Sequence, residues 1–242
     1  MPEGLGGVLV TGASSGIGAA TAAELARRGY TVGCVSRRGT VPGGEAAPGR
    51  LVPYACDVTD RDGMAAAIAE FAAEADGLVA LVNNAGLYTV DSDEDPDLPA
   101  RVFDVNVRAV LGASRAAYPF LRESRGTVVN VGSFYDQLGV PSHAAYAASK
   151  AALASLTRTL AVEWARDGIT VNTVAPGYIL TELNRTYFED AGARASVERR
   201  IPVGRLGRAE EVGRLIAALV QERIGFLTGT TIYIDGGQAV SL

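Results

Sequence analysis

Short runs of apolar, largely β-branched residues alternate along the chain with longer stretches in which apolar residues recur at helical spacing. The runs are nearly unbroken, as expected of strands that are buried on both faces. They predict strands at residues 8–10, 30–35, 51–56, 78–82, 127–131, 170–174 and 231–234. The longer stretches predict helices at residues 17–28, 64–75, 99–123, 144–166 and 210–221. This alternation predicts an α/β fold, with a parallel sheet and helices on both of its faces.

Two places depart from the alternation. Residues 37–50 hold six Gly and Pro residues, which predicts a loop where a crossover helix is usual. Pro119 predicts a kink or an end near the close of the helix at 99–123. No interdomain linker and no internal repeat stands out, so we expect one domain over residues 1–242.

Composition and charge exclude several classes of protein. Apolar residues make up 48% of the 242 residues and charged residues 20%, which excludes a disordered chain. The 29 glycines show no three-residue period, which excludes collagen. The net charge of −5 gives no basic surplus for nucleic acid or anionic lipid, and no apolar run is long enough to span a bilayer. We expect no nucleic-acid partner and no membrane partner.

The cysteines and the first motif bear on localisation. Cys34 and Cys56 lie in apolar runs, which favours a reduced, intracellular protein in which both are buried small hydrophobes. The first motif begins at Thr11, which leaves no room for a cleaved signal. The expected location is the cytoplasm.

A glycine-rich loop joins the first strand to the first helix. Residues 11–18 read Thr-Gly-Ala-Ser-Ser-Gly-Ile-Gly. Glycines let the backbone turn sharply and approach a pyrophosphate, and the helix N-terminus adds free N–H groups. The spacing Gly-x3-Gly-x-Gly differs from the usual dinucleotide fingerprint, so the loop alone also fits a turn without a ligand.

Tyr146 and Lys150 are four residues apart on a predicted helix and share one face. A free tyrosine has a pKa of about 10, and a nearby ammonium lowers it. A tyrosine tuned in this way can give a proton to a ketone that receives hydride, or take one from an alcohol. Ser133 follows the fifth strand, where open α/β sheets build their sites, and its hydroxyl can orient a carbonyl oxygen. An exposed Tyr–Lys pair without function is the common alternative when these two residues are considered alone.

Together these motifs resemble the short-chain dehydrogenase/reductase family. The family's pattern is matched by residues 11–18, by Asn-Asn-Ala-Gly at 83–86 and by Tyr-x3-Lys at 146–150, and the match runs from residue 8 to residue 237. The resemblance implies a single Rossmann-type, doubly wound parallel sheet of about seven strands. It also implies that Asn106 holds a water that connects Lys150 to solvent. The catalytic residues it implies are Asn106, Ser133, Tyr146 and Lys150.

The resemblance implies a nicotinamide cofactor as well, and no metal. Asp57 and Val58 would lie on the adenine side, residues 83–86 would line the cofactor, and Thr181 would reach the carboxamide. The expected cofactor-binding residues are Gly12, Ser14, Ser15, Gly16, Ile17, Gly18, Ser36, Arg37, Arg38, Asp57, Val58, Asn84, Ala85, Gly86, Tyr146, Lys150, Pro176, Gly177, Ile179 and Thr181.

The end of the second strand indicates which nicotinamide cofactor is bound. An acid there favours NAD, and a basic group accommodates the extra phosphate of NADP. Ser36 stands where NAD-preferring relatives carry Asp, and Arg37 and Arg38 follow it. Guanidinium groups suit bidentate phosphate contacts. The sequence therefore predicts NADP(H), with one of the two arginines merely solvated.

The substrate is less determined than the cofactor. Residues 182–205 mix Leu183, Tyr187 and Phe188 with several arginines and are expected to form a lid over a small carbonyl or alcohol substrate. Two subfamilies are similar. Residues 36–42, 146–150 and 176–179 look like bacterial 3-oxoacyl-carrier-protein reductases, which reduce a β-ketoacyl thioester. Residues 176–184 are similar to gluconate 5-dehydrogenases.

One departure weakens the first of these readings. Carrier-protein reductases place basic residues where this chain has Thr127 and Asp167, while Arg125 and Arg166 are offset in sequence. An acidic carrier protein prefers positive charge at its docking site, so docking is in doubt while a CoA thioester or small ketone is not. A third reading is an idle NADP-binding sensor or scaffold, against which the intact catalytic residues argue.

Three further features are assigned structural or surface roles. The Ala-rich helices 99–123 and 144–166 form a dimer interface in the family, commonly within a tetramer, so a homo-oligomer is expected. The acidic residues 91–97 resemble a calcium loop, but Pro96 stands where Gly is needed, so we expect a solvated loop. His143, the only histidine, has no metal partner and is expected at the surface.

Overall fold

The computed structural model describes residues 5–43, 47–91, 95–182 and 184–241. The strands among these residues are β1 (Gly7–Thr11), β2 (Thr31–Ser36), β3 (Arg50–Ala55), β4 (Leu78–Asn83), β5 (Thr127–Val131), β6 (Thr170–Pro176), β7 (Ile179–Leu180), β8 (Gly207–Arg208) and β9 (Thr231–Ile234). Seven of them form one parallel sheet in the order β3-β2-β1-β4-β5-β6-β9, and β7 pairs with β8. This order confirms the predicted doubly wound sheet.

Helices cover both faces of the sheet, as predicted. They are α1 (Gly16–Arg27), α2 (Arg61–Glu74), α3 (Leu98–Phe103), α4 (Ala109–Ser124), α5 (Ala144–Trp164), α6 (Arg185–Glu189), α7 (Ala191–Glu198) and α8 (Ala209–Glu222). The chain reverses its direction of travel across the sheet between β1 and β4, where open α/β sheets leave a crevice for ligands. Within the described ranges, no helix combines the length and the apolar character needed to cross a bilayer.

Two apolar layers hold the helices to the sheet. Val8 and Val10 of β1 point into one layer, with Leu25 of α1 and Ile216 of α8. Leu9, between them, points into the other layer with residues of α2, α4 and α5. All of these side chains are fully buried, and each contributes about 1.5–3 kcal/mol of transfer free energy. The sheet edge that carries the site is therefore rigidly supported from both sides.

The predicted helix at 99–123 is wrong in one respect, because it is not continuous. It begins at Leu98 as α3, passes through a π-helical turn at Asp104–Arg108, and resumes as α4. A π-turn inserts one residue into the helical repeat and is frequent at functional sites. Pro119 does not end the helix, since α4 continues to Ser124.

The segment between β2 and β3 has no helix in its described residues, 37–43 and 47–49, in agreement with the predicted loop. The short elements β7, α6, α7 and β8 were not predicted, and α6 and α7 fall within the expected lid at residues 182–205. Of the residues singled out from the sequence, Gly44, Leu183 and residues 92–94 of the acidic run lie outside the described residues.

Candidate active site

The glycine loop forms a cradle that side chains would obstruct. Gly12 has φ +66°, and a Cβ there would lie 2.9 Å from the Cα of Ala85. A Cβ on Gly18 would lie 2.3 Å from the carbonyl oxygen of Gly12. Ser15, the N-cap of α1, makes no side-chain capping hydrogen bond, so the first N–H groups of the helix remain available to an anion. The loop suits a pyrophosphate.

Asn84 braces this loop from the neighbouring strand. Its Nδ2 donates to the carbonyl oxygen of Thr11 at 2.9 Å. The Thr11 hydroxyl oxygen accepts from the backbone N–H groups of Asn84 and Ala85, both at 3.0 Å. These bonds tie the end of β1 to the end of β4 and fix the width of the crevice.

A cavity of about 950 Å³ opens along the ends of these strands. It brings together most of the residues predicted to bind the cofactor: Gly12, Ser14, Ser15, Gly16, Ile17, Ser36, Arg37, Arg38, Asp57, Val58, Asn84, Ala85, Gly86 and Thr181. The lining also includes Thr59, Leu87, Thr89, Leu98, Arg101, Asp104, Val105 and Glu182, none of which was predicted to bind the cofactor. It includes Cys56 too, which was expected to be buried but is only half-buried at the cavity wall. Several of these directly follow a predicted strand or motif, and that position is the signal that could have found them.

Six of the predicted cofactor residues do not line this cavity. Gly18 supports the glycine loop from behind, and Pro176 ends β6. Gly177 packs where a Cβ would come within 2.8 Å of Asp235, and Ile179 is buried in the apolar layer under α1 and α8. The other two are Tyr146 and Lys150.

The end of β2 carries the pair of arginines. The Nη2 of Arg38 donates to the Ser14 hydroxyl at 3.0 Å, so this guanidinium joins the second strand to the glycine loop. Ser36 is buried, and its hydroxyl oxygen accepts from the N–H of Gly39. Hydrogen bonds from Thr59 and the charge of Arg37 hold the pKa of Asp57 below its ordinary value.

Ser133, Tyr146 and Lys150 meet at the carboxyl end of β5. The Nζ of Lys150 donates to the carbonyl oxygen of Val131 at 2.9 Å and lies 5.6 Å from the centroid of the Tyr146 ring. A Cβ built on Gly86 would lie 3.6 Å from that Nζ, so Lys150 borders the cavity that Gly86 lines. The three side chains that were predicted to be catalytic therefore lie close together.

The pKa of Tyr146 is raised in this structure, whereas the sequence predicted a lowered value. Burial raises the pKa of Tyr146 to about 12, although the Ser133 hydrogen bond lowers it in part. Burial also lowers the pKa of Lys150 to about 8. Because the same burial disfavours both the phenolate and the ammonium, the ammonium does not outweigh it here.

Both polar atoms of the Asn106 side chain make hydrogen bonds within the protein. Its Nδ2 donates to the carbonyl oxygen of Leu87 and to the Ser149 hydroxyl, both at 3.0 Å. Its Oδ1 accepts from the N–H of Leu87 at 2.8 Å. Asn106 lies in the π-turn and is 1% exposed, so these three bonds join the turn to β4's loop and to α5. The Asn106 amide nitrogen therefore has no hydrogen left to donate to a water.

A buried line of polar side chains crosses the sheet beneath the site. Asn83 donates to Asn130 at 2.9 Å, and Asn130 donates to Thr157 at 2.9 Å. Thr157 in turn lies 2.8 Å from the hydroxyl of Thr173. These bonds join β4, β5, β6 and α5. Asn130, at the centre of the line, directly precedes Val131, whose carbonyl oxygen accepts from Lys150. Satisfied buried networks of this kind specify a single packing.

The sequence analysis missed an aromatic cluster beside Tyr146. Its members share ring contacts with one another or with Tyr146, and we call them the aromatic cluster: Tyr88, Phe134, Tyr135, His143, Tyr178, Tyr187 and Phe188. Tyr88, Tyr135 and Tyr178 each lie one or two residues after a motif residue, which is the signal that could have found them. His143 is half-buried against Tyr88 rather than exposed at the surface.

Lys150→Met is expected to raise the free energy of unfolding at pH 7 by about 1–2 kcal/mol. Methionine removes a buried charge whose pKa is lowered to about 8, and the lost hydrogen bond to Val131 offsets part of the gain. The unfolded chain keeps the lysine proton to a higher pH than the folded chain, so the gain fades between pH 8 and 10.5. Urea unfolding at pH 7 and pH 10 measures this. A variant less stable than wild type at pH 7 would contradict it.

Comparisons with known proteins match this chain over nearly its whole length. A family model described as enoyl-(acyl carrier protein) reductase matches residues 12–239. The 3-oxoacyl-[acyl-carrier-protein] reductase of Thermotoga maritima is 38% identical over 96% of this chain and 97% of its own. A short-chain type dehydrogenase/reductase from Mycobacterium marinum has a TM-score of 0.89 and 34% identity, covering 98% of this chain and 96% of its own.

A third protein is relevant to the cofactor. It is described as a candidate 2-deoxy-D-gluconate 3-dehydrogenase from Agrobacterium tumefaciens, and its crystal structure contains bound NADP. The TM-score is 0.84 and the identity 33%, and the match covers 97% of this chain and 96% of that one.

Proposed function

The chain belongs to the short-chain dehydrogenase/reductase family, and from this premise we propose that it reduces a ketone to a secondary alcohol with NADPH. The observation that carries the proposal is the meeting of Ser133, Tyr146 and Lys150 at the edge of the cavity lined by the glycine loop. A cradle that only glycine fits, at a free helix N-terminus, suits a dinucleotide. When bound, NADPH supplies the hydride.

The side chains supply orientation and the proton. The Ser133 hydroxyl hydrogen-bonds the substrate carbonyl oxygen and sets its direction, and the Tyr146 hydroxyl gives that oxygen its proton. With a pKa of about 12, Tyr146 is protonated at neutral pH, which is the state that an acid in reduction requires. Lys150 stabilises the phenolate that remains, as a neighbouring cation does. Asn106 positions the turn and α5 on which these groups depend.

The choice of NADPH over NADH follows from the end of β2. Ser36 leaves no carboxylate to repel a phosphate, and the guanidinium of Arg38 already joins β2 to the glycine loop. Arg37 lines the same cavity. Two guanidinium groups beside a small buried serine favour the additional phosphate of NADP. The Agrobacterium neighbour with bound NADP supports the same choice.

Replacing both Arg37 and Arg38 by alanine is expected to raise the Kd for NADPH by about 10- to 100-fold and that for NADH by less than about threefold. The reason is that only NADPH carries the phosphate these groups would contact. Fluorescence titration with each cofactor measures the change. Arg27→Ala, at the far end of α1, is the matched control for loss of one exposed guanidinium. An equal loss for both cofactors would contradict the assignment.

For the substrate we propose a 3-oxoacyl thioester, in keeping with the activity for which the Thermotoga relative is named. Arg122, Arg125 and Arg166 line a surface pocket of about 450 Å³ together with Asp167. The Asp167 carboxylate lies 3.3 Å from Arg122 and accepts from the Tyr118 hydroxyl. An acid among the arginines weakens the attraction for an acidic carrier protein. A thioester of a small thiol or of CoA therefore fits better than a carrier-bound chain.

Absorbance at the NADPH band tests this proposal with an acetoacetyl thioester and 5-ketogluconate side by side. Rapid NADPH oxidation with the thioester alone supports it. Oxidation with the keto-sugar acid alone favours a polyol or sugar-acid dehydrogenase, the second candidate, which the Agrobacterium neighbour supports. NADPH binding without turnover of either compound, or of a wider panel of ketones, would leave an idle NADP-binding sensor or scaffold.

We also propose that the protein is a cytoplasmic homo-oligomer, a dimer or a tetramer. Both cysteines are free thiols, which suits a reducing compartment. Val162 on α5 is an apolar side chain that is 80% exposed, and a second copy packed against this helix would cover it.

A further inference from the structure

The aromatic cluster concentrates rings where the substrate must lie. The chain has six phenylalanines, nine tyrosines and one tryptophan, and seven of these, with Tyr146 included, meet in this one place. They come from five separate segments of the chain: the loop after β4, the turn after β5, α5, the loop after β6, and α6.

The rings stand around the side chain that we propose as the proton donor. Tyr88 lies 5.0 Å from Tyr146 between ring centroids, at an interplanar angle of 83°. Tyr135 lies 5.7 Å from Tyr146 at 81°. Tyr178 lies 6.4 Å from Tyr135 at 84°. A flat ring beside the Tyr146 hydroxyl can therefore meet both faces and edges, the arrangements that aromatic pairs prefer.

Several polar groups of the aromatic cluster form hydrogen bonds with one another. The Tyr88 hydroxyl lies 2.7 Å from His143 Nε2, and His143 Nδ1 lies 2.7 Å from the carbonyl oxygen of Pro141. A carbonyl only accepts, so Nδ1 carries the proton of the neutral ring and Nε2 accepts from Tyr88. The hydroxyls of Tyr135 and Tyr178 lie 3.2 Å apart. The hydroxyl groups of Tyr88, Tyr135 and Tyr178 are therefore engaged within the cluster, and these three residues present carbon to a bound molecule.

Part of this carbon surface is uncovered. Tyr135 and Phe188 are buried, as supporting rings are, but Tyr88 is 42% exposed and Tyr187 59% exposed. The guanidinium carbon of Arg200 lies 6.0 Å from the centroid of Tyr178, which helps to hold that ring in place. The exposed ring of Tyr88, directly beside Tyr146, is a surface that a bound molecule would cover.

We propose that the aromatic cluster selects a ketone that carries a flat apolar ring beside its carbonyl carbon. The inference rests on the proposed ketone reduction and narrows its substrate: the group on the carbonyl side away from the thioester is a ring rather than a methyl group. Tyr88 is its principal specificity-determining residue, because its ring is both exposed and in contact with Tyr146. Stacking on the exposed face of Tyr88 replaces water with aromatic contact.

The first experiment compares two substrates that differ only in this group. They are the N-acetylcysteamine thioesters of 3-oxobutanoate and 3-oxo-3-phenylpropanoate, each with NADPH. The expected kcat/KM is at least about tenfold higher for the phenyl compound. Equal or better turnover of the methyl compound would overturn the inference and leave the proposed reaction intact.

A matched pair of variants separates the ring of Tyr88 from its hydroxyl. Tyr88→Phe keeps the ring and loses the bond to His143, and its phenyl-over-methyl ratio is expected within about twofold of wild type. Tyr88→Leu keeps apolar bulk without a flat ring. In this variant the kcat/KM for the phenyl compound is expected to be less than about three times that for the methyl compound. Tyr118→Phe, on α4 and outside the cluster, should keep the wild-type ratio. A ratio lost in Tyr88→Phe but kept in Tyr88→Leu would show that the hydroxyl carries the selectivity.

A binding measurement keeps the inference testable if neither thioester is reduced, an outcome that would remove the proposed thioester substrate. Wild-type protein saturated with NADP⁺, which has no hydride to give, is heated with acetophenone or with acetone. Acetophenone is expected to raise the unfolding temperature and acetone to leave it unchanged at equal concentration, because binding to the folded state stabilises it. The shift should disappear in Tyr88→Leu. The absence of any shift with acetophenone in the wild type would overturn the inference.

Discussion

Tyr146→Phe is expected to lower kcat for ketone reduction by at least about a thousandfold, while the Kd for NADPH stays within about twofold of wild type. Phenylalanine retains the ring that packs against Tyr88 and Tyr135, so the walls of the site are kept. It removes the hydroxyl that hydrogen-bonds Ser133 and is protonated at neutral pH. Without that proton, the alkoxide formed by hydride addition has no acid. Steady-state NADPH oxidation and fluorescence titration measure the two quantities.

Two further variants give this result its meaning. Tyr54→Phe removes a hydroxyl that bonds to Glu74. Because Tyr54 lies on β3, the edge strand that three other strands separate from β5 in the sheet, the activity of this variant should match wild type. Ser133→Ala is expected to lose activity by about 10- to 1,000-fold, since an orienting hydrogen bond is lost while the proton donor remains. Residual turnover above about a tenth in Tyr146→Phe would show that another group delivers the proton, and the acid role would have to be reassigned.

The parallel sheet could be predicted from the sequence because the patterns that indicate its strands are local. Unbroken Val, Ile and Leu runs such as Val128–Val129 indicate burial on both faces, and the glycine loop fixes which strand comes first at the crevice. The loop at 37–50 could also be predicted, because its glycines and prolines act on the backbone directly. Each of these conclusions depends on a few neighbouring residues and needs no tertiary partner.

The π-turn around Asn106 shows what local signals cannot give. Its cause is tertiary: the Asn106 amide exchanges hydrogen bonds with the backbone of Leu87, nineteen residues away, and reaches Ser149 on α5. Nothing in the apolar spacing of residues 99–123 marks the inserted residue, because the stretch remains helical on both sides of it.

The direction of the pKa shift of Tyr146 was predicted wrongly for a related reason. The sequence shows a lysine four residues away but not the burial that acts on both groups.

The aromatic cluster falls between these cases. Each ring follows a recognisable motif, yet only the fold shows that Tyr88, Tyr135 and Tyr178 surround Tyr146. Motifs point to candidate reacting groups because the chemistry demands particular groups at particular spacings. Specificity is built by whichever side chains the loops bring nearby, and their positions are set by tertiary structure.

Gly18→Ala is expected to raise the Kd for NADPH by at least about tenfold and to lower the free energy of unfolding by about 1–3 kcal/mol. A methyl group there would lie 2.3 Å from the carbonyl oxygen of Gly12 and 2.4 Å from the Nδ2 of Asn84. Neither neighbour can yield without cost, because Asn84 braces the loop through Thr11. The loop must therefore move away from α1 and lose the shape that fits a pyrophosphate.

Gly112→Ala is the matched control, since Gly112 also lies in a helix but has open space where its Cβ would be. There alanine should stabilise the fold by about 0.5–1 kcal/mol through its better helix propensity and leave NADPH binding unchanged. Urea unfolding and fluorescence titration of both variants separate the general effect of adding a methyl group from the local clash. If Gly18→Ala bound NADPH as tightly as Gly112→Ala, the close packing of the glycine loop on α1 would not be what shapes the cofactor site.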